Sequence, residues 1–413
     1  MNNSPLEFLA KKYGNVVKYD QEGNVAGIFV RFNKCKSSDL VSGLPSHTHP
    51  AFIVNGVEQD YILLGKYKAG ENGEADGKLL SLPNIRPGNS MTADENLSRI
   101  RAAAPGVSGM TIADYGFIKL LAQKEGWSPK GNSAYGQNRD DATVWKQNTD
   151  VAVGDVRAYE GVLYTCLVAH NTGSRLKPDI AKGYWKAGKR VGAISSDTTV
   201  ITRYQTGYRT LNGTGPKSWY LGSDPANLYG LVSESLEFQW GYRTVDAELQ
   251  ILENNDAADP AADLSESSAA WKAILPNAGD DGYTLVAPGT PGTLHWNHIY
   301  KSGEELKVGL DTQCDVTQDL DISRLFTELV ANTARLPYVP HIVKELGLFP
   351  TGADDQTSGT PVIHFRGERL GVRGCTYDER EYYYRPGLGF IYGALRSYKG
   401  VDCAGRPRAL AGA

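Results

Sequence analysis

The chain has 413 residues, enough for two or three domains with cores of their own, and its 41% hydrophobic and 22% charged residues are those of an ordinary globular protein. A formal net charge of −4, with no basic domain or stripe, argues against nucleic acid as the main partner, and no run of about 18 apolar residues offers a membrane span. The five cysteines (Cys35, Cys166, Cys314, Cys375, Cys403) contain no CxxC pair, so neither a zinc ribbon nor a redox dithiol is indicated, and an odd number excludes a complete disulfide framework within one chain.

Residues 1–45 read as a small N-terminal element suited to attachment or oligomerisation. Leu6 to Tyr13 suits a short helix, and Asn15 to Phe32 reads as two strands broken at Gln21-Glu22-Gly23-Asn24. Met1 to Ala10 has no basic segment followed by an apolar one, so no signal peptide is expected and the chain is expected to be made in a cytoplasm. From Ser46 the texture changes. Ala51 to Val54 and Tyr61 to Tyr67 are strand-like runs around an Asn55-Gly56 turn. Thr92 with Glu95 forms a capping box ahead of Leu97 to Ala104. Thr111 with Asp114 marks a second helix start, followed by Ile112, Tyr115, Ile118, Leu121 and Ala122 at helical spacing, with Gly126 as the stop.

Between 141 and 190 lies a segment of different style, in which Trp145, Tyr159, Tyr164, Tyr184 and Trp185 crowd together. Val156 to Tyr159 and Leu163 to Val168 alternate as a hairpin does. Polar, glycine-bearing linkers flank it, as expected of a module inserted in a loop. Beyond it short strands and glycine-rich loops dominate, with helices expected at Ser268 to Ile274 and Asp321 to Ala334. The 46 glycines and 23 tyrosines fit many turns and recognition-prone surfaces. The overall balance is α+β with long loops, which often carry function.

Several short motifs fall in an order that resembles a known family. They are His49-Pro50-Ala51-Phe52-Ile53-Val54-Asn55-Gly56, Gly109-Met110-Thr111-Ile112-Ala113-Asp114-Tyr115, Glu237-Phe238-Gln239-Trp240-Gly241-Tyr242-Arg243, and Gly371-Val372-Arg373-Gly374-Cys375-Thr376-Tyr377. Ala404-Gly405-Arg406-Pro407-Arg408 resembles the family's closing motif with alanine and glycine shifted. This series resembles the C-type-lectin-like variable proteins of diversity-generating retroelements and the receptor-binding tail proteins of phages, whose fold is shared with formylglycine-generating enzymes. The resemblance implies a discontinuous C-type-lectin-like domain over 46–140 and 191–413. It also implies a ligand-binding face carrying Tyr377, Asp378, Glu379, Arg380, Tyr382, Tyr383, Tyr384, Arg385, Tyr392, Arg396 and Tyr398, residue types that give rigid contact area with hydrogen bonds. Glu379 and Glu381 depart from the pattern of a diversified target, which points to a fixed relative. The 141–190 segment resembles small chitin-binding-type carbohydrate modules through Trp145, Gly154-Asp155-Val156-Arg157-Ala158-Tyr159-Glu160-Gly161-Val162-Leu163-Tyr164-Thr165-Cys166, Ala169-His170, Pro178 and Tyr184-Trp185-Lys186. Trp145, Tyr159, Tyr164, Tyr184 and Trp185 are then the sugar-stacking candidates. Trp145 and Tyr164 suit the module's own core better, and Tyr184 or Trp185 an exposed platform.

The function this resemblance implies is a phage tail adhesin that binds a glycan or protein receptor on the host surface. It would be carried on the virion beside other tail proteins, as a homotrimer, with no cofactor and no enzymatic activity. A structural tail or capsid protein is the alternative. An oxidase of the formylglycine-generating class is a remote one, since Cys375 and Cys403 lie outside the spacing those enzymes use. No Gly-x-Ser-x-Gly, phosphate-binding loop or dinucleotide fingerprint occurs. His47 with His49, and His295 with His298, are pairs without a carboxylate at ligand spacing, so no metal site is expected from either. Gly279-Asp280-Asp281-Gly282 and Asn254-Asn255-Asp256 could attract calcium but read equally well as turns, and Trp296-Asn297-His298 only approaches the calcium-binding tripeptide of true C-type lectins.

Overall fold

A computed structural model describes residues 5–12, 15–71, 77–82, 85, 87–88, 90–124, 145–159, 162–173, 176–190, 236–299, 306–319, 321–355, 357, 359–374, 387–400 and 403–411. It is a mixed, strand-rich α+β structure, 16% helix and 37% strand. Helix α1 (Pro5–Lys12) leads into strands β1 (Asn15–Tyr19) and β2 (Val25–Asn33). Their turn uses Gly23 at φ +83°, and Asp20 accepts hydrogen bonds from the Glu22 and Asn24 N–H groups. The N-terminal element does not stand apart. Strand β2 pairs antiparallel with β3 (Tyr61–Gly65), and Phe29 and Val30 are buried. Strand β4 (Val107–Gly109) completes the sheet from the far edge. Between β3 and β4 lies β17 (Pro407–Ala409), the chain's last strand, so the two ends of the sequence are woven into one five-stranded layer.

Both predicted capping devices form. At helix α2 (Ala93–Arg101) the Thr92 hydroxyl accepts from the Glu95 N–H, while the Glu95 carboxylate accepts from the Thr92 N–H at 2.8 Å. At helix α3 (Ile112–Lys124) Thr111 and Asp114 exchange the same pair of bonds. Helix α3 is buried around nearly its whole circumference, which makes it the central rod of the main core.

The insert has its own core and its own sheet. Strands β5 (Val156–Tyr159), β6 (Val162–Cys166) and β7 (Trp185–Arg190) form a three-stranded antiparallel sheet with β6 in the middle. Trp145, Val151, Tyr159, Cys166 and Trp185 fill the space beneath it.

The rest of the chain builds a twelve-stranded sheet. Its main strands are β8 (Leu236–Val245), β9 (Glu248–Leu252), β10 (Trp271–Pro276), β11 (Tyr283–Val286), β12 (His295–Ile299), β13 (Lys307–Asp311), β14 (Val362–His364), β15 (Glu368–Gly374) and β16 (Gly387–Ala394). A short helix, α4 (His341–Glu345), packs on α3. Strand β8 shifts register against β15 between Gln239 and Arg243. Gly241 sits there at φ +81°, where a Cβ would come within 2.7 Å of the Ala257 Cβ. Two expected helices are strands instead. Ser268 to Ile274 is a turn that runs into β10, whose Trp271 pairs with Leu252. Asp321 to Ala334 breaks into two short strands and a single 3₁₀ turn, because Ile322 pairs with Ile363 and Val330 with Gly309. Among the described residues no helix is long and apolar enough to cross a membrane.

Charged residues are buried in the body with their partners. Arg406, beside β17, holds Glu237 through Nε and Nη2 and donates from Nη1 to the Gly65 carbonyl, and Lys68 joins the same carboxylate at 3.1 Å. Arg408 pairs with the capping Asp114 and donates to the Ala51 carbonyl. Lys119 of α3 lies 2.5 Å from Asp355. The residues of the closing motif thus act as internal clamps between the two ends of the chain.

Candidate functional site

Of the C-terminal set, Tyr377, Asp378, Glu379, Arg380, Tyr382, Tyr383, Tyr384 and Arg385 lie outside the described residues. The other three are half-buried and engaged with the body, which corrects the expectation that they stand free. Tyr392 pairs across β16 with Val372 and Val362, and its ring meets His364 edge-on at 5.3 Å. Tyr398 packs beside Tyr392. Arg396 grips Glu368 through two nitrogens, reaches Asp94 at 2.7 Å and donates to the Leu264 carbonyl. Its guanidinium ties together a strand, a loop and the start of α2, and the void it borders, about 10 Å³, has room for at most a single water.

In the insert, Trp145, Tyr159 and Trp185 are core residues. Trp145 and Tyr159 meet edge to face at 5.4 Å, and the Trp185 indole N–H donates to the Leu176 carbonyl. Trp185 is therefore no exposed platform: β7 places it opposite Cys166, facing inward. Tyr164 is partly buried against the same core, and Tyr184 alone of the five is open, at 37% exposure. Residues that sequence reasoning passed over are more telling. Six of the ten exposed large hydrophobic side chains among the described residues belong to this one module: Val153, Val156, Leu167, Val168, Ile180 and Tyr184. Backbone bonds from Gly154 N–H to the Cys166 carbonyl and from Leu167 N–H to the Tyr184 carbonyl bring Val153, Leu167 and Tyr184 to one end of the sheet. These exposed apolar side chains make the module a candidate contact surface.

A second constellation lies on the body. The segment before Pro50 pairs with residues 35–37 through Ser37 N–H to the His47 carbonyl and His49 N–H to the Cys35 carbonyl, which sets Ser37 and His47 side by side. Helix α4 carries His341 and Glu345 one turn apart on one face. It can approach because α3 has Gly116 at the crossing, where a Cβ would fall 2.1 Å from the Glu345 carbonyl oxygen. The Glu345 carboxylate, wholly buried, then meets His47 Nε2 at 2.7 Å and His341 Nδ1 at 2.8 Å, and accepts from the Ser37 hydroxyl. Burial alone would push this carboxyl up, but the hydrogen bonds from His341, His47 and Ser37 hold it down at about 2. The same contact raises the His47 imidazole above its ordinary value. His49 differs: fully buried, it is pushed down to about 4, with Nδ1 accepting from the Ala51 N–H and Nε2 donating to the Glu345 carbonyl. Beside the cluster opens a cavity of about 220 Å³ whose lining includes His47, Ile342, Tyr283, Asn254 and Asn255. Burial and the Glu345 charge push the Tyr283 phenol up to about 12, which keeps it protonated. Sequence reasoning marked His47 and His49 but missed their partner. The available signal was His341 and Glu345 at helical i,i+4 spacing directly after Pro340.

The other candidate cation sites serve as structural joints. His295 and His298 are three residues apart on β12, an odd step that sends side chains to opposite faces of a strand. The carboxylates of Asp311 and Asp315 gather instead around the Arg335 guanidinium, at 2.5 to 2.8 Å, and both accept from the Asn297 Nδ2 at 3.0 Å. Asp256 accepts from the Asn55 N–H and so ties its loop to a distant turn, while Asp280 accepts from the Gly282 N–H and the Asn277 amide and shapes its own turn. Cys35, Cys166 and Cys314 are free thiols, and Cys375 lies outside the described residues. No protein-family model matches the sequence, and no curated protein matches it.

Proposed function

We propose that the chain is a surface-recognition protein: a virion-borne adhesin whose inserted 141–190 module meets a host receptor, glycan or protein, while a C-type-lectin-like body presents it. The observation that carries this reading is the concentration of exposed apolar side chains on the module, with Tyr184 beside Val153 and Leu167. A module that spends its tryptophans on its own core and still leaves these side chains outside is built to be covered by something else. The sequence resemblance supports the same class, and the lacing of β17 between β3 and β4 supports treating 46–140 and 191–413 as one discontinuous domain. Attachment through the N-terminal element beside other tail proteins, and assembly as a homotrimer, belong to the same proposal. Copies arrayed on a particle would turn weak single contacts into firm adsorption by raising effective concentration.

The test is adsorption of the purified full-length chain to a panel of bacterial cells, run beside a glycan array. Tyr184→Ala and Leu167→Ser, separately, are expected to weaken binding about tenfold, the effect of losing about 1.4 kcal/mol of contact. A chain that binds neither cells nor glycans, or binds equally well with both substitutions combined, is incompatible with the module as the contact.

A further inference from the structure

We infer that His47, His341 and Glu345 form a binding site for a divalent transition-metal ion of the zinc type, with an open coordination position toward the adjoining cavity. Their ligand atoms all lie within 4.8 Å of one another, and the two imidazole rings are 5.2 Å apart. Two imidazoles and one carboxylate are the donor set that zinc takes when it keeps a position free for water or another ligand. With bonds of about 2.1 Å, a tetrahedral zinc needs its ligand atoms roughly 3.4 Å apart. The present spacing reaches that by small side-chain rotations, the ion taking the place of the protons now shared between the rings and the carboxylate. The surroundings fit the outer partners that metal sites use. Ser37 orients the carboxylate, and the Gly116 crossing fixes the helix that carries two of the three ligands.

A separate observation points to something bound in the cavity itself. Asn255 lines it, is more than nine-tenths buried, and its amide Nδ2 has no acceptor. Asn254 and Asn255 both hold left-handed backbone angles, φ +51° and +53°, at this wall. An N–H donor left without an acceptor in the wall of this cavity is one that a small side-chain movement would bring to an oxygen acceptor, either metal-bound water or the carboxylate or hydroxyl of a small molecule.

The experiment uses the full-length protein, stripped with chelator and dialysed metal-free. Zinc is followed by calorimetry and thermal unfolding, and cobalt(II) by its visible absorption. The expected result is one equivalent bound per chain, a raised Tm with zinc, and an intense tetrahedral cobalt spectrum. His47→Ala, which also removes one partner of the buried Glu345 carboxylate and so lowers the metal-free Tm, should weaken binding by more than the roughly 10- to 100-fold that loss of an outer partner costs. His341→Gln, which preserves side-chain size, should do the same and guards against a folding defect in the first variant. Equal binding by wild type and both variants, or binding by none of them, overturns the site.

Discussion

The body and the insert treat polarity in opposite ways. In the body, full charges are inside: Lys119, Glu237, Arg373, Arg406 and Arg408 have almost no exposure, and their contacts run to other segments of the chain. In the insert, a core of five residues is all that fits, and apolar side chains remain outside. Size is the physical reason. A domain of several hundred residues has interior volume enough to desolvate ions and surround each with partners, whereas one of about 50 residues has more surface than its polar side chains can cover. The large unit thus uses its rarer chemistry for internal joints, and the small unit is left with the better contact surface.

The largest expected break in this contrast is at Arg406. Replacing it with Met leaves Glu237 buried with Lys68 as its remaining cation, and should cost about 3–5 kcal/mol in chemical denaturation. Its acid dependence has a definite sign. Burial pushes the Glu237 carboxyl up, but Arg406 and Lys68 outweigh that and hold it below its ordinary 4.5. Its contribution to stability is therefore present above that value and fades as pH falls through and below it, and the Met variant should lose that part of the slope. Next in size, Trp185→Ala should unfold the module at a cost of about 3 kcal/mol or more. Because the module's core is separate, the body's thermal transition should stay where it is. A single shifted transition for the whole chain would show that the two cores are coupled. Gly116→Ala comes third, at about 1–3 kcal/mol of overpacking where α3 meets α4. It should also weaken zinc binding, since it displaces the helix that carries His341 and Glu345. The smallest effect on stability, within about 0.5 kcal/mol, is expected for Leu167→Ser on the module's surface, the same change that should reduce adsorption. A clear rise in stability there would mark the patch as a cost tolerated for binding.

What could be read from the residues in order was whatever closes within about four positions. Thr92 with Glu95 and Thr111 with Asp114 are hydrogen-bond exchanges between near neighbours, and both helices begin there. Gly23, Asn55 and Gly56 sit at positive φ in the turns where a tolerant residue was required. The insert's hairpin strands likewise follow from local alternation. Ile322, Leu325, Phe326, Leu329 and Val330 recur at helical spacing, yet they form no helix, because pairing with Ile363 and Gly309 satisfies their backbone elsewhere in the chain.

Only tertiary structure decided which side chains share a place. His47 and Glu345 are 298 positions apart, and nothing near His47 in the sequence announces a carboxylate. Tryptophan and arginine are equally suited to a core, an interface or a clamp, so the identities of Trp185 and Arg396 left their roles open until a strand pairing turned one inward and an ion network claimed the other. Local order in this protein comes from short-range hydrogen bonding and backbone sterics, both written in consecutive residues. Burial and convergence come from long-range packing, in which each residue's meaning depends on a partner the sequence does not place beside it.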